Sequence, residues 1–75
     1  MKDLLILIAK QLVDKPDLVE VREEERDGVI VLCLKVGEED MGKVIGKQGR
    51  IARAIRTLVK AAAIHEEKRV TVEII

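Results

Sequence analysis

Val44-Ile45-Gly46-Lys47-Gln48-Gly49-Arg50-Ile51-Ala52-Arg53-Ala54-Ile55 joins a short apolar segment to a long helical pattern through two glycines three residues apart. Glycine reaches backbone conformations closed to other residues, and it lets the main chain approach a second molecule with no Cβ in the way. Lys47 and Gln48, held between the glycines, are expected to point outward as donors. A helix beginning near Gly49 turns its unpaired N–H groups and the positive end of its dipole toward the same spot. The corner suits an anion. A Gly-x-x-Gly segment can also be a plain connector between helices, so its surroundings decide between the two.

Downstream, Ile51, Ile55, Leu58 and Ala62 recur at helical spacing from Arg50 to about His65, flanked by Ala52, Ala54, Val59 and Ala61, while Arg53, Arg56 and Lys60 fall on the other side. Arg69 to Ile74 then alternates as a strand. Upstream, Glu38-Glu39-Asp40 supply acids for the first turn of a short helix that ends near Ile45. Before it, Val29 to Val36 is a nearly continuous apolar run, expected to be a strand covered on much of both faces. Asp27-Gly28 marks a hairpin turn back to an alternating strand over Leu18 to Arg26. At the start of the chain, Leu5, Ile8, Ala9 and Leu12 predict a helix from Met1 to about Val13, ended by Asp14-Lys15-Pro16-Asp17. The order is α-β-β-α-α-β in a single α+β domain spanning 1–75. Three strands cannot bury two apolar faces, so the three helices are expected on one face of the sheet. The hairpin makes the first two strands neighbours, and the last, returning after two helices, is open to parallel pairing.

A chain of 75 residues supports one small core. Its net charge is zero, yet the charge is unevenly placed. Lys43, Lys47, Arg50, Arg53, Arg56 and Lys60 occur between 43 and 60 without one carboxylate, whereas Asp14 to Asp40 holds ten acids against four bases. A neutral protein of this kind can present a basic face. No Phe, Tyr or Trp is present, which counts against folds that stack bases on aromatic rings. Cys33 is the only cysteine, so no intrachain disulfide or cysteine-built zinc site is expected, and a reducing cytoplasm fits. The apolar run from Leu4 to Ala9 is too short for a membrane span and lacks a cleavage signal.

The twelve residues quoted above resemble the core signature of the KH domain, an Ile-Gly-x-x-Gly loop between two helices. With a helix and a strand placed ahead of that core, the order is similar to the bacterial, type II arrangement. At this length the chain looks most like the small stand-alone bacterial KH proteins of the KhpA (YlqC) family. That resemblance implies single-stranded RNA binding without a cofactor and a homodimer. It also implies pairing with a larger multidomain KH protein of the Jag (KhpB) type, in an RNA chaperone or regulator role linked to cell shape, growth and division. Carried over by position, Gly46 and Gly49 allow close approach of the RNA backbone and Lys47 meets phosphate beside Gln48. Arg50, Arg53 and Lys43 extend that contact, while Val44, Ile45 and Ile51 flank the loop where bases would lie.

Other constellations carry less. Gly37-Glu38-Glu39-Asp40-Met41-Gly42-Lys43 has phosphate-loop spacing, but Val44 stands where a hydroxyl should meet magnesium, and three acids crowd the loop. His65 has no second histidine for a metal site, and no nucleophile, base and oxyanion arrangement is visible, so no enzymatic activity is expected. Arg56 and Lys60, farthest from the loop, read as a solvated helix face. Ala54, Leu58 and Ala61, at one edge of the wide apolar sector of the last helix, include small residues that allow close helix approach and form the expected dimer interface. The competing function is a protein-interaction adaptor that uses the fold and this helix surface without binding RNA.

Overall fold

The computed structural model describes residues 1–75. Six principal elements follow in order: α1 (Lys2–Leu12), β1 (Glu20–Arg26), β2 (Val29–Lys35), α2 (Met41–Ile45), α3 (Arg50–His65) and β3 (Val70–Ile74). Single 3-10 turns at Pro16–Leu18, Glu38–Asp40 and Lys47–Gly49 join them. The expected α-β-β-α-α-β order holds. The first strand begins two residues later than its alternation suggests, because Pro16 opens a tight turn that holds Leu18 out of the ladder.

Strand order in the sheet is β1-β2-β3, antiparallel between β1 and β2 and parallel between β2 and β3. Asp27 and Gly28 both take positive φ, 52° and 79°, as a two-residue hairpin joining Arg26 to its partner Val29 requires. The central position of β2 explains its apolar run. Leu32 and Leu34 project to the helix side and are completely buried there with Val21, Val70 and Val72. Leu5 and Ala9 of α1, Val44 of α2, and Ile55, Val59 and Ala63 of α3 close the same cluster. All three helices therefore share one face of a mixed sheet.

The other face has no helices, yet Val31 and Cys33 are only 4% exposed on it. Register places Glu24 and Arg22 of β1, and Thr71 and Glu73 of β3, on either side of them. Arg26 lies within 2.7 Å of Glu24 and 3.8 Å of Glu73, and Arg22 within 3.3 Å of Glu24. Long charged side chains thus lie across the sheet with their stems on the apolar strand and their heads in water. Such exposed pairs contribute little stability individually, and their role here is cover. The coverage anticipated on both faces of β2 is present, supplied on one side by a layer of ion pairs.

No helix is long and apolar enough to cross a membrane.

Candidate functional site

Between α2 and α3 the backbone turns sharply. The Gly46 N–H ends α2 on the Gly42 carbonyl at 2.8 Å, and the Gly49 N–H closes the turn on the Gly46 carbonyl at 3.1 Å. Gly46, Gln48 and Gly49 have φ of 75°, 58° and 72°, so three of four loop residues occupy the left-handed region. The two glycines serve different ends. A Cβ on Gly46 would lie 2.6 Å from the side chain of Ile51, whereas one on Gly49 would meet nothing within 4 Å. Gly46 is the seat of Ile51, which folds the start of α3 back over the corner, and Gly49 leaves the outer surface open. Gln48 holds its left-handed conformation without glycine's freedom, a strain of about 1–3 kcal/mol of the kind found at binding loops.

Charge is concentrated around this corner. Lys47, Gln48 and Arg50 are exposed. Arg53, one turn along α3, reaches back so that its Nη2 donates to the Gln48 carbonyl at 3.4 Å. Arg56 turns toward the sheet, where its Nε donates to the Val72 carbonyl at 3.2 Å. That carbonyl belongs to the free edge of β3. The Arg69 carbonyl accepts from the Ile30 N–H and the Ile75 N–H donates to the Leu34 carbonyl, so by alternation Val70, Val72 and Ile74 direct their backbone polar groups away from β2. Arg53, Arg56 and Lys60 occupy one flank of α3, on a stripe about 60° wide at 100° per residue, and this flank borders β3. Six ion pairs within 4.0 Å engage only Lys15, Arg22, Arg26 and Lys43 among the cations. Lys47, Arg50, Arg53, Arg56 and Lys60 are therefore free of carboxylate partners.

Lys43 behaves differently. Its ammonium is bonded to the Asp14 carboxylate and lies 3.6 Å from Asp40, and these contacts, led by the bond to Asp14, raise its pKa. It is locally neutralised, facing the α1–β1 connection. Val44 is completely buried in the core. It positions the corner from beneath and presents no surface. Ile45 is 38% exposed and Ile51 half-buried, leaving apolar surface beside the loop.

Asp40, which the sequence offers as an acid for the N-terminus of the short helix, is 1% exposed and makes no capping bond to its own helix. Its two oxygens accept the backbone N–H groups of Asp14 and Lys15 at 3.2 and 3.0 Å, tying the segment after α1 to the base of α2. Nothing local in the sequence signals this contact, which spans more than twenty residues.

On the other flank of α3, Ala54, Leu58 and Ala61 are exposed, Leu58 by 56%, and Ile64 near the helix end by 74%. Arg56, which sequence periodicity leaves as a solvated position, is exposed but bonds the edge of β3. Periodicity places it on the basic stripe, but only the parallel return of β3 shows what that stripe borders.

An α-β-β-α-α-β chain with an Ile-Gly-x-x-Gly corner between two helices, set on a mixed three-stranded sheet, has the form of a type II KH domain. A family model described as KhpA/KhpB, KH domain, matches residues 2–74. The chain belongs to that family. It is 67% identical over 75 residues to the RNA-binding protein KhpA of Clostridium perfringens, covering all of both chains. It is 51% identical over 75 residues to the protein of the same name from Listeria monocytogenes, with 100% of this chain and 99% of the relative covered. With the Bacillus subtilis protein of that name, identity is 51% over 74 residues, covering 99% of this chain and 91% of the relative.

Asp40 gives the stability of the fold a pH dependence. Burial alone would raise its pKa, but the N–H groups of Asp14 and Lys15, with Lys43, outweigh burial and hold it below the ordinary carboxylate value. A depressed folded-state pKa contributes stability that is fully present above the ordinary value of 3.8 and is lost as pH falls through the lowered one. Asp40→Asn is expected to be less stable than the parent at neutral pH and to lose less on acidification below that value. Urea unfolding midpoints from pH 7 downward check this, and parallel acid limbs for the two proteins would contradict it.

Proposed function

We propose that this chain holds single-stranded RNA without performing chemistry on it. Gly46 to Gly49 grip the sugar-phosphate backbone, Lys47 and Arg50 neutralise phosphates at the corner, and Arg53 supports the loop from behind while adding charge. Ile45 and Ile51 offer aliphatic surface to the bases, and Arg56 at the β3 edge supplies hydrogen-bond donors. With no aromatic ring in the chain, base contact relies on these groups, and the loop contributes grip more than sequence choice. One observation carries the proposal: Lys47, Arg50, Arg53 and Arg56, cations without carboxylate partners, cluster at the corner and on the stretch of α3 next to it in a chain of zero net charge. The relatives' name, RNA-binding protein KhpA, supports the same class of ligand.

Lys43 contributes less in this account than its position beside the loop suggests, because binding phosphate would require leaving Asp14 and Asp40. A cytoplasmic setting and action with a larger KH partner of the Jag (KhpB) type, as an RNA chaperone or regulator in growth and division, accompany the family resemblance. The exposed flank at Ala54, Leu58 and Ala61 is the proposed homodimer surface. Its small residues permit close approach of two helices, and Leu58 supplies apolar area that is otherwise left in water.

The loop variant Lys47→Asp with Gln48→Asp tests the ligand. Aspartate tolerates the left-handed geometry at position 48, so the variant is expected to fold, by circular dichroism, while losing nearly all affinity for single-stranded RNA. For the parent, log affinity is expected to fall with log salt at a slope of roughly −0.7 for each phosphate neutralised. Unchanged RNA binding by the folded variant would remove the proposed site. If the parent binds no RNA while retaining a protein partner, the adaptor function takes its place. Sedimentation equilibrium tests the dimer. The parent is expected to associate and Leu58→Glu to remain monomeric, and a parent that is monomeric at high concentration would exclude this surface.

A further inference from the structure

Beyond the corner and the middle of α3, a cavity of about 310 Å³ opens at the far end of the helix. Lys60, Lys68, Arg69, Val29, Ala63 and Ile64 are among the residues that line it. Three of these are cations, one on α3 and two in the turn that leads into β3, and no carboxylate is among them. Glu66 and Glu67 lie in the same turn but do not line the cavity. None of the three cations has a carboxylate oxygen within 4.0 Å. Positive charge held unpaired around a concave surface, with aliphatic walls from Ala63, Ile64 and Val29, suits a phosphate joined to something less polar.

Its position narrows the ligand further. Lys60 is on the same flank of α3 as Arg53 and Arg56, and Arg69 and Val70 lead into the strand whose free edge Arg56 touches. The cavity therefore continues the path that begins at Lys47, about 16 Å along the helix from Gly49 at 1.5 Å per residue. The loop of a KH domain clamps four nucleotides. A strand lying along the α3–β3 border would run beyond that clamp toward Lys60, Lys68 and Arg69. We propose that this cavity is a second RNA-backbone subsite, which takes the phosphodiester and sugar of a nucleotide flanking the segment held at the loop. The volume, at the lower end of the range for small-ligand sites, suits a single nucleotide unit. This inference rests on the proposed RNA function, and it adds a requirement for length: short RNA engages the corner alone, and longer RNA engages both.

The test uses the full chain with two fluorescently labelled random-sequence pools, RNA pentamers and RNA dodecamers. Lys60→Gln, Lys68→Gln and Arg69→Gln are combined in one variant. All three positions are exposed, and circular dichroism checks that the fold is kept. The variant is expected to bind pentamers as the parent does. Its dodecamer affinity is expected to fall until the advantage over pentamers is only what the extra binding registers supply. The salt slope for dodecamers should become shallower by roughly 0.7 for each phosphate that is no longer neutralised. The loop variant, run alongside, separates two kinds of failure. If the triple variant matches the parent on dodecamers in affinity and slope while the loop variant does not bind, the second subsite is wrong and the RNA function stands. If the triple variant loses pentamers and dodecamers equally, the three cations act as a general field and the subsite is again wrong. If the loop variant binds both pools like the parent, the RNA function itself falls and the subsite with it.

Discussion

Ile51 resting where a Cβ of Gly46 would be is the contact on which the corner between α2 and α3 depends. Any side chain at position 46 would meet Ile51 at 2.6 Å and would also have to adopt a φ of 75°. With glycine there, α3 begins directly over the loop and is fixed in rotation. Ala52, Ile55, Val59 and Ala63 are then buried, and Arg53, Arg56 and Lys60 are carried toward β3. Core packing and placement of positive charge are thus consequences of one orientation. Asp40 secures the other side of the corner. Its carboxylate binds the segment after α1 to the base of α2, so the loop hangs between two fixed points.

The same arrangement distributes charge in a neutral chain. Acids and bases on the open face of the sheet satisfy each other across β2, and Lys43 is satisfied by Asp14 and Asp40. Of the cations left without a carboxylate partner, Lys47, Arg50, Arg53, Arg56, Lys60, Lys68 and Arg69 lie along α3 and around its two ends, and only Lys2, Lys10 and Lys35 lie elsewhere. Net charge, a sum over the whole molecule, hides this separation, whereas the potential near one helix flank follows the local excess.

Much of this is legible in the sequence because it depends on local chemistry. Asp27-Gly28 dictates a two-residue hairpin, helical spacing delimits α3 at Arg50 and His65, and the signature around Gly46 and Gly49 indicates the corner. What escapes depends on contacts between distant segments. Asp40 looks like a helix-start acid because its real partners, Asp14 and Lys15, are far away in sequence. Val44 and Ile45 are adjacent apolar residues, and only the tilt of α2 buries one and exposes the other. Arg56 is exposed, as its place on the helix suggests, but only the parallel pairing of β3 puts a strand edge beside it. Cover for Val31 and Cys33 comes from alternating charged residues on two flanking strands, which in sequence resemble an ordinary wet face.

We propose that RNA lies from the Gly46–Gly49 corner along the border of α3 and β3. Amide chemical shifts of the isotope-labelled chain, followed as single-stranded RNA is added, test it most directly. The largest changes are expected at Gly46 to Arg50, with further changes at Arg53, Arg56 and the outward-facing amides of Val70 and Val72. Changes confined to Ala54, Leu58 and Ala61, or to the open face of the sheet, would contradict it.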